Sequence, residues 1–383
     1  MPWKETSAMS LRQEVITRAG QGDPIAALAR TYGISRKTIY KWLQRAGDAD
    51  GLGDRSRRPR TSPRQTDPAI AAQVLALRRE HPTWGGRKLH HRLRALGVAA
   101  PPAPSTITAL LHRQGLIRPD PPTAAVTRFE ADAANDLWQL DFKGWHPSRT
   151  GRIYPLTLAD DHSRFLFPIT CLPDQRGAPV QAALTAIFQR YGLPWVLLCD
   201  NGKPWGASGS GGLTKLEVWC IQLGIRMIHG RPYHPQTQGK LERMHRTLKA
   251  EVFGPVPYAT LGEAQAACDR FRDVYNLERP HEMLDYATPI SRYTASPRAF
   301  PPTLPLPTYA DDVLVRRVSA KGAISFKNQR HAIGEGLAGH DIGIRPSPGQ
   351  DGRFDILFHH QVVRVIDLNH PLAEEGTMCY PCP

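Results

Sequence analysis

Two short apolar runs, each carrying an aspartate at or near its end, constrain this 383-residue chain most. Leu137-Trp138-Gln139-Leu140-Asp141-Phe142 reads as a β-strand, aromatic and aliphatic with one polar break. Trp195-Val196-Leu197-Leu198-Cys199 is apolar throughout and is closed by Asp200-Asn201-Gly202, which places Asp200 at the end of a buried strand. Between them, Ala178 to Tyr191 reads as a helix with Val180, Leu184, Ile187 and Phe188 inward. A third acid, Glu242, lies in Thr237 to Val252, a proline-free stretch that reads as a helix. In α/β sheets, sites form outside the carboxyl ends of the strands. Two strand acids and one helix acid are therefore expected to converge there.

Convergence of carboxylates needs a chemical reason. They repel at close range, and a cluster of them ordinarily holds hard divalent cations. Two such ions, about 3.5–4 Å apart, activate an attacking oxygen and stabilise a leaving one in phosphoryl transfer. The plainer reading makes each acid a turn residue or a solvated helix charge.

The local context favours the first reading. Leu140-Asp141-Phe142, Cys199-Asp200-Asn201-Gly202 and the long run from His234 through Glu242 to Lys249 resemble DDE transposases with a retroviral-integrase-type core. Tyr233-His234-Pro235 and Asp160-Asp161-His162-Ser163-Arg164 resemble the same family. The resemblance spans roughly residues 130 to 290. It implies an α/β RNase H-like catalytic core with a mixed sheet, in which Asp141, Asp200 and Glu242 fall on catalytic, metal-ligand positions for two magnesium ions, with manganese as substitute. Asn201 is expected to support the site. His234 either orients the scissile phosphate or caps its turn. Asp160 and Asp161 are rival ligands, ranked below Asp141 because the resemblance assigns them to strand-turn packing. The interval from Asp200 to Glu242 is somewhat longer than usual in the family, and its glycine-rich stretch from Gly206 to Gly212 reads as a flexible loop beside the site. Lys240, Arg243, Arg246 and Lys249 surround Glu242 at helical spacing and either hold DNA ends or are ordinary solvated charges.

Within that core, Arg152 to Asp160 and Phe165 to Thr170 read as strands, Leu213 to Leu223 as a helix and Ile225 to His229 as a strand. Leu261 to Tyr275 continues as a helix. The expected organisation is multi-domain: residues 1–46, 67–125, 126–295 and 309–370, with a basic linker at 47–66.

Charge is placed unevenly. The chain is +14 overall, and residues 1 to 120 hold 21 Lys and Arg against 9 Asp and Glu. That basic front end points to nucleic acid. Residues 1–46 read as an all-α helix-turn-helix. Leu11, Val15 and Ile16 mark a first helix, Ile25, Leu28 and Ala29 a second, and Ser35 caps a third with Ile39, Trp42 and Leu43 inward. Arg36, Lys37, Lys41 and Arg45 face outward, the pattern of a recognition helix. The linker's Arg55, Arg57 and Arg58 either follow phosphates or are simply solvated. Residues 67–125 read as a second helix-turn-helix, opened at Asp67-Pro68 and capped at Ser105 before its last helix. Its expected phosphate contacts are Arg87, Lys88, Arg92 and Arg94. Both units resemble those of insertion-sequence transposases.

From Asp312 to Leu368 short alternating strands are separated by Gly and Pro, as in a small C-terminal β-barrel, with Arg316, Arg317, Lys321 and Lys327 as possible DNA contacts. No window is apolar enough to span a membrane, and the N-terminus has no apolar signal core. Six scattered cysteines make no disulfide framework, and Cys379 and Cys382 have zinc-like spacing without a second pair. A cytoplasmic, bacterial nucleoid-associated protein is expected. It would bind double-stranded DNA, both terminal repeats and target, as a homo-oligomer. The rival readings are an RNase H-superfamily nuclease and a catalytically lapsed transposase-derived DNA-binding protein.

Overall fold

The computed structural model describes residues 7–47, 51–54, 65–117, 130–206, 212–230, 239–254 and 257–369. Arg55, Arg57, Arg58, His234, Cys379 and Cys382, with most of the glycine-rich stretch, lie outside them. The chain divides into two compact units, Met1–Gln65 and Thr66–Pro383.

The first unit is three helices, α1 (Ala8–Gly20), α2 (Ile25–Thr31) and α3 (Arg36–Arg45). Ser35 caps α3 as expected, its hydroxyl accepting from the Thr38 amide at 3.1 Å. Val15, Leu28 and Ile39 form the core, with Trp42 and Leu43 against it. Leu11, which helped mark α1 by its spacing, is exposed. The α2–α3 turn passes through Gly33 at φ 62°, a left-handed conformation that costs a glycine little.

The second unit begins with α4 (Pro68–Glu80), α5 (Gly86–Ala95) and α6 (Pro104–Arg113), packed around Val74, Trp84, Leu89, Leu93, Ile107 and Leu111. Ser105 does not cap α6. Pro104 occupies the first turn, where its missing N–H costs nothing, and Ala103 takes the cap position.

A mixed sheet follows, built from β1 (Leu137–Phe142), β2 (His146–Ser148), β3 (Gly151–Asp160), β4 (Thr170–Leu172), β5 (Val196–Cys199) and β6 (Arg226–His229). β3 runs antiparallel to β1 and β4, while β1, β5 and β6 are parallel. The order β4-β3-β1-β5-β6 is the RNase H-like arrangement expected. Helices cover both faces. Trp138, Leu140 and Leu197 meet α7 (Gly177–Tyr191) and α8 (Lys215–Gln222) on one side. Ile153, Leu166 and Ile169 meet α9 (Gly239–Leu248) and α10 (Leu261–Asp273) on the other.

The strand expected at Phe165 to Thr170 is mostly irregular, and β4 begins only at Thr170. The Asn276 side-chain amide replaces a neighbouring strand there. It accepts from the Leu166 amide at 2.9 Å and donates to the Leu166 carbonyl at 2.8 Å.

The C-terminal part is β7 (Leu314–Arg317), β8 (Ala323–Phe326), β9 (Gln329–Ala332), β10 (Asp341–Pro346), β11 (Arg353–Phe358) and β12 (Gln361–Asp367). It is a small β domain, but its strands do not close into the expected barrel. An open antiparallel sheet of order β12-β11-β10-β7 and a separate β8–β9 hairpin share one core. Val218 and Ile221 of α8 join that core, while Leu216, Trp219 and Cys220 of the same helix face the central one. Gly336 permits the approach. A Cβ there would lie 2.1 Å from the Leu213 carbonyl oxygen.

Candidate active site

Strand register brings the first two acids together. β1 and β5 pair Leu137 with Val196, Trp138 with Leu197 and Gln139 with Leu198. Continued two residues further, the same parallel register sets Asp141 abreast of Asp200. Glu242 stands in the first turn of α9. One turn along, His245 is buried and brings its Nδ1 to 3.7 Å from the Asp141 Oδ2. His245 therefore ties α9 to the strand that carries the first acid.

The electrostatics agree with that convergence. Burial, then the negative charge of Asp200, push the Asp141 carboxyl up to about 7, and Glu242 adds a smaller push the same way. Its side chain is 19% exposed. His245 is no ion-pair partner despite the short approach. Burial, helped by Lys143, pushes it down to about 3, so the ring is neutral. Its Nε2 shares a 2.7 Å hydrogen bond with the Thr157 hydroxyl, which donates to the Asp141 carbonyl at 2.8 Å. Among the described residues, no three of His, Cys, Asp and Glu stand close enough to share one ion. The Asp141 carboxyl thus feels the other two acids without the three being at ligating distance.

Asp200 is exposed, and its Oδ1 accepts from the Gly202 amide at 2.9 Å and from the Trp205 indole N–H. The Asp200 carbonyl meets His229 Nδ1 at 2.9 Å, and His229 Nε2 meets Glu217 at 2.9 Å. Burial opposes charge on His229, but the Glu217 and Asp200 contacts outweigh it and its pKa is raised. Asn201, expected to support the site, donates to the Gly230 carbonyl at 2.9 Å and so fixes the turn after β5 to the end of β6.

Asp160 and Asp161 are fully occupied as packing groups. Asp160 accepts from the Asn135 and Ser163 amides, both at 2.7 Å, and from the Ser163 hydroxyl. Asp161 accepts from the Ala131 amide at 2.8 Å, the Gln139 amide nitrogen at 2.6 Å and Lys240 at 2.5 Å. Lys240 is thereby engaged inside the chain two residues from Glu242.

The basic residues singled out above divide into two groups. Arg36, Lys37 and Lys41 are exposed, as are Arg246 and Lys249, whereas Arg45 is half-buried and donates to the Gly53 carbonyl at 2.7 Å. Those of α5 are turned toward the segments beyond α9. Arg87 and Arg243 both pair with Glu282, at 3.0 and 3.5 Å, and Arg92 pairs with Glu278. Burial, then Arg279 and Arg243, push Lys88 down to about 8. Arg87 and Arg92 thus tie the helical bundle to the core, Arg87 while still exposed, and Arg94 is exposed.

Sequence reasoning missed His245, Trp205, His229 and Glu217. His245 was findable, since it lies three residues after Glu242 on the same helix. The others follow only once β5, β6 and α8 are neighbours.

Family models match in an order consistent with this architecture. A helix-turn-helix domain matches residues 11–60, a homeodomain-like domain 38–111, the integrase core domain 131–235 and 223–289, and the IS481 family transposase C-terminal domain 313–373. The chain is 33% identical over 122 residues to the Gag-Pol polyprotein of woolly monkey sarcoma virus, covering 32% of this chain and only 7% of that one. It is 24% identical over 253 residues to the insertion element IS407 uncharacterized 31.7 kDa protein of Burkholderia multivorans, covering 62% and 84%. Among solved structures, the catalytic core domain of BIV integrase is 26% identical with a TM-score of 0.32, covering 41% of this chain and 92% of that one.

The fold and the matched domains together define a protein of the integrase-core class. With the IS481 family transposase C-terminal domain matched behind that core, the chain is similar to insertion-sequence transposases with a retroviral-integrase-type core.

Proposed function

We propose that this protein is a DNA transposase that binds the terminal repeats of its own element, cleaves a strand at each end and transfers the freed 3′ end into target DNA. The observation that carries the reading is the parallel β1–β5 pairing, whose register carried two residues past Gln139 and Leu198 would set Asp141 abreast of Asp200, with Glu242 in electrostatic reach of Asp141. Nothing in that arrangement serves stability, since like charges raise one another's ionisation cost.

The donor set suits hard divalent cations. All three residues offer carboxylate oxygens, Asp200 and Glu242 are exposed, and a cation would relieve the pressure that holds the Asp141 carboxyl near 7. Asp141, Asp200 and Glu242 would hold two magnesium ions, with manganese as substitute, and bound ions supply charge neutralisation and an activated oxygen at the phosphodiester. The chain's own residues do the positioning. Thr157 and neutral His245 fix the β1 backbone and the α9 face, Trp205 and Gly202 orient Asp200, and Lys240 anchored on Asp161 steadies the turn that carries Glu242. Exposed Arg36, Lys37 and Lys41 on α3, with Arg246 and Lys249 on and just beyond α9, are the proposed DNA contacts. Joining two ends in one complex calls for a homo-oligomer.

Incubation with candidate end DNA and magnesium tests the reading. The parent protein should release a nicked product and strand-transfer product, and Glu242→Gln should release neither. Equal activity of the two would overturn it, and a parent that binds end DNA without cutting would leave the lapsed, DNA-binding alternative.

A further inference from the structure

Among the described residues, Trp145 belongs to none of the hydrophobic clusters. It follows β1 by three residues and is 52% exposed, where Trp84, Trp138 and Trp205 are fully buried. The Arg152 guanidinium lies 4.6 Å from its ring centroid, across the β2–β3 hairpin. Trp195 offers a contrast. It is also exposed and also lies under an arginine, but Arg298 there donates to the carbonyls of Pro194, Leu223 and Gly224. That arrangement is a structural clasp. Among the described residues, no hydrogen bond or ion pair engages the Arg152 guanidinium.

The surroundings are basic and close to the acids. Lys143 is near enough to Asp141, His245 and His146 to act on all three electrostatically, and Lys249 acts on His146 as well. Arg149 is exposed in the β2–β3 turn. Four residues of chain cannot span more than about 14 Å, so Trp145 stands within that distance of Asp141. A half-exposed tryptophan with an arginine at its ring and further cations close by in the chain is the arrangement that takes a single strand, its base on the indole and its phosphates on the charges.

We propose that Trp145 and Arg152, with Lys143 and Arg149 beside them, form a stacking platform for an unpaired nucleotide of the DNA strand next to the three acids. This rests on the DNA-cleaving reading of that site and names the part of the substrate it grips there: a splayed, single-stranded end.

Binding without chemistry tests it. Fluorescence anisotropy in EDTA would compare a short blunt duplex with the same duplex carrying a 3′ single-stranded extension. The parent should prefer the extended duplex. Trp145→Ala should lose affinity for it by roughly 5- to 150-fold while blunt-duplex binding stays, and Trp145→Phe should keep most of the preference. Arg152→Ala should lower the salt slope on the extended duplex by about 0.7. No preference in the parent, or Trp145→Ala binding as the parent does or losing both duplexes equally, would overturn the platform. A parent that prefers the extended duplex yet never cuts with magnesium would instead remove the enzymatic reading and leave the platform standing.

Discussion

Replacing Asp141 with asparagine should stabilise the metal-free protein, and only above a particular pH. The carboxyl is held near 7 by burial and by Asp200, against an ordinary 3.8. Between about pH 4 and 7 the unfolded chain has given up this proton while the native chain keeps it. Native stability therefore falls as pH rises through that window and is fully depressed above it. The depression amounts to roughly 4 kcal/mol, the ionisation cost of a carboxyl held some three pH units high. His245, neutral at 3.7 Å, offers nothing to offset it. Asp141→Asn lacks the group, so it should match the parent near pH 4 and exceed it by up to about 4 kcal/mol at pH 8. Urea denaturation of both proteins in EDTA, following the transition of the unit that holds the sheet, measures the difference. Magnesium should then narrow it by more than half, since a ligand at a hundredfold its dissociation constant stabilises by about 2.7 kcal/mol and the variant has lost a ligand. A difference that stays constant across pH, or an asparagine variant less stable at pH 8, would refute the account of these acids as crowded.

Three further outcomes are expected. Asn276→Leu leaves both polar groups of Leu166 buried and unpaired and should cost about 2–5 kcal/mol by the same denaturation assay. Gly86→Ala should destabilise the α4–α6 bundle by about 1–3 kcal/mol in thermal melts, although alanine ordinarily favours a helix, because its Cβ would sit 2.4 Å from the Pro104 carbonyl and the Thr108 hydroxyl. Alanine at Arg36 or Lys41 should reduce the slope of log affinity against log salt for duplex DNA by about 0.9 each, with unchanged melting, because both are exposed on α3.

The β-rich core and its acids were legible because their signals are local. A buried strand announces itself through an apolar run, and its end through Asp-Asn-Gly. Residues 165–169 misled because they are as apolar as a strand, and nothing nearby reveals that Asn276, more than a hundred residues away, bonds their backbone. β9 reads Gln-Arg-His-Ala and pairs only because the Lys327-Asn328 turn, both residues at positive φ, folds it onto β8. The partners of Arg87 and Arg92 were hidden because charge on a helix shows in sequence while the acids that answer it, Glu282 and Glu278, are distant in the chain. Closure of a barrel is a global property that no single strand encodes.

Helix α8 buries every residue from Leu216 to Ile221. One flank completes the interior of the integrase core and the other that of the C-terminal β domain. A truncation that stops in the proline-rich stretch near residue 308 would thus bare Val218 and Ile221 in the middle of the remaining protein and give a sticky, self-associating product. The two halves have to be inherited, expressed and engineered together, and a chimaera that exchanges the tail must carry α8 along with it.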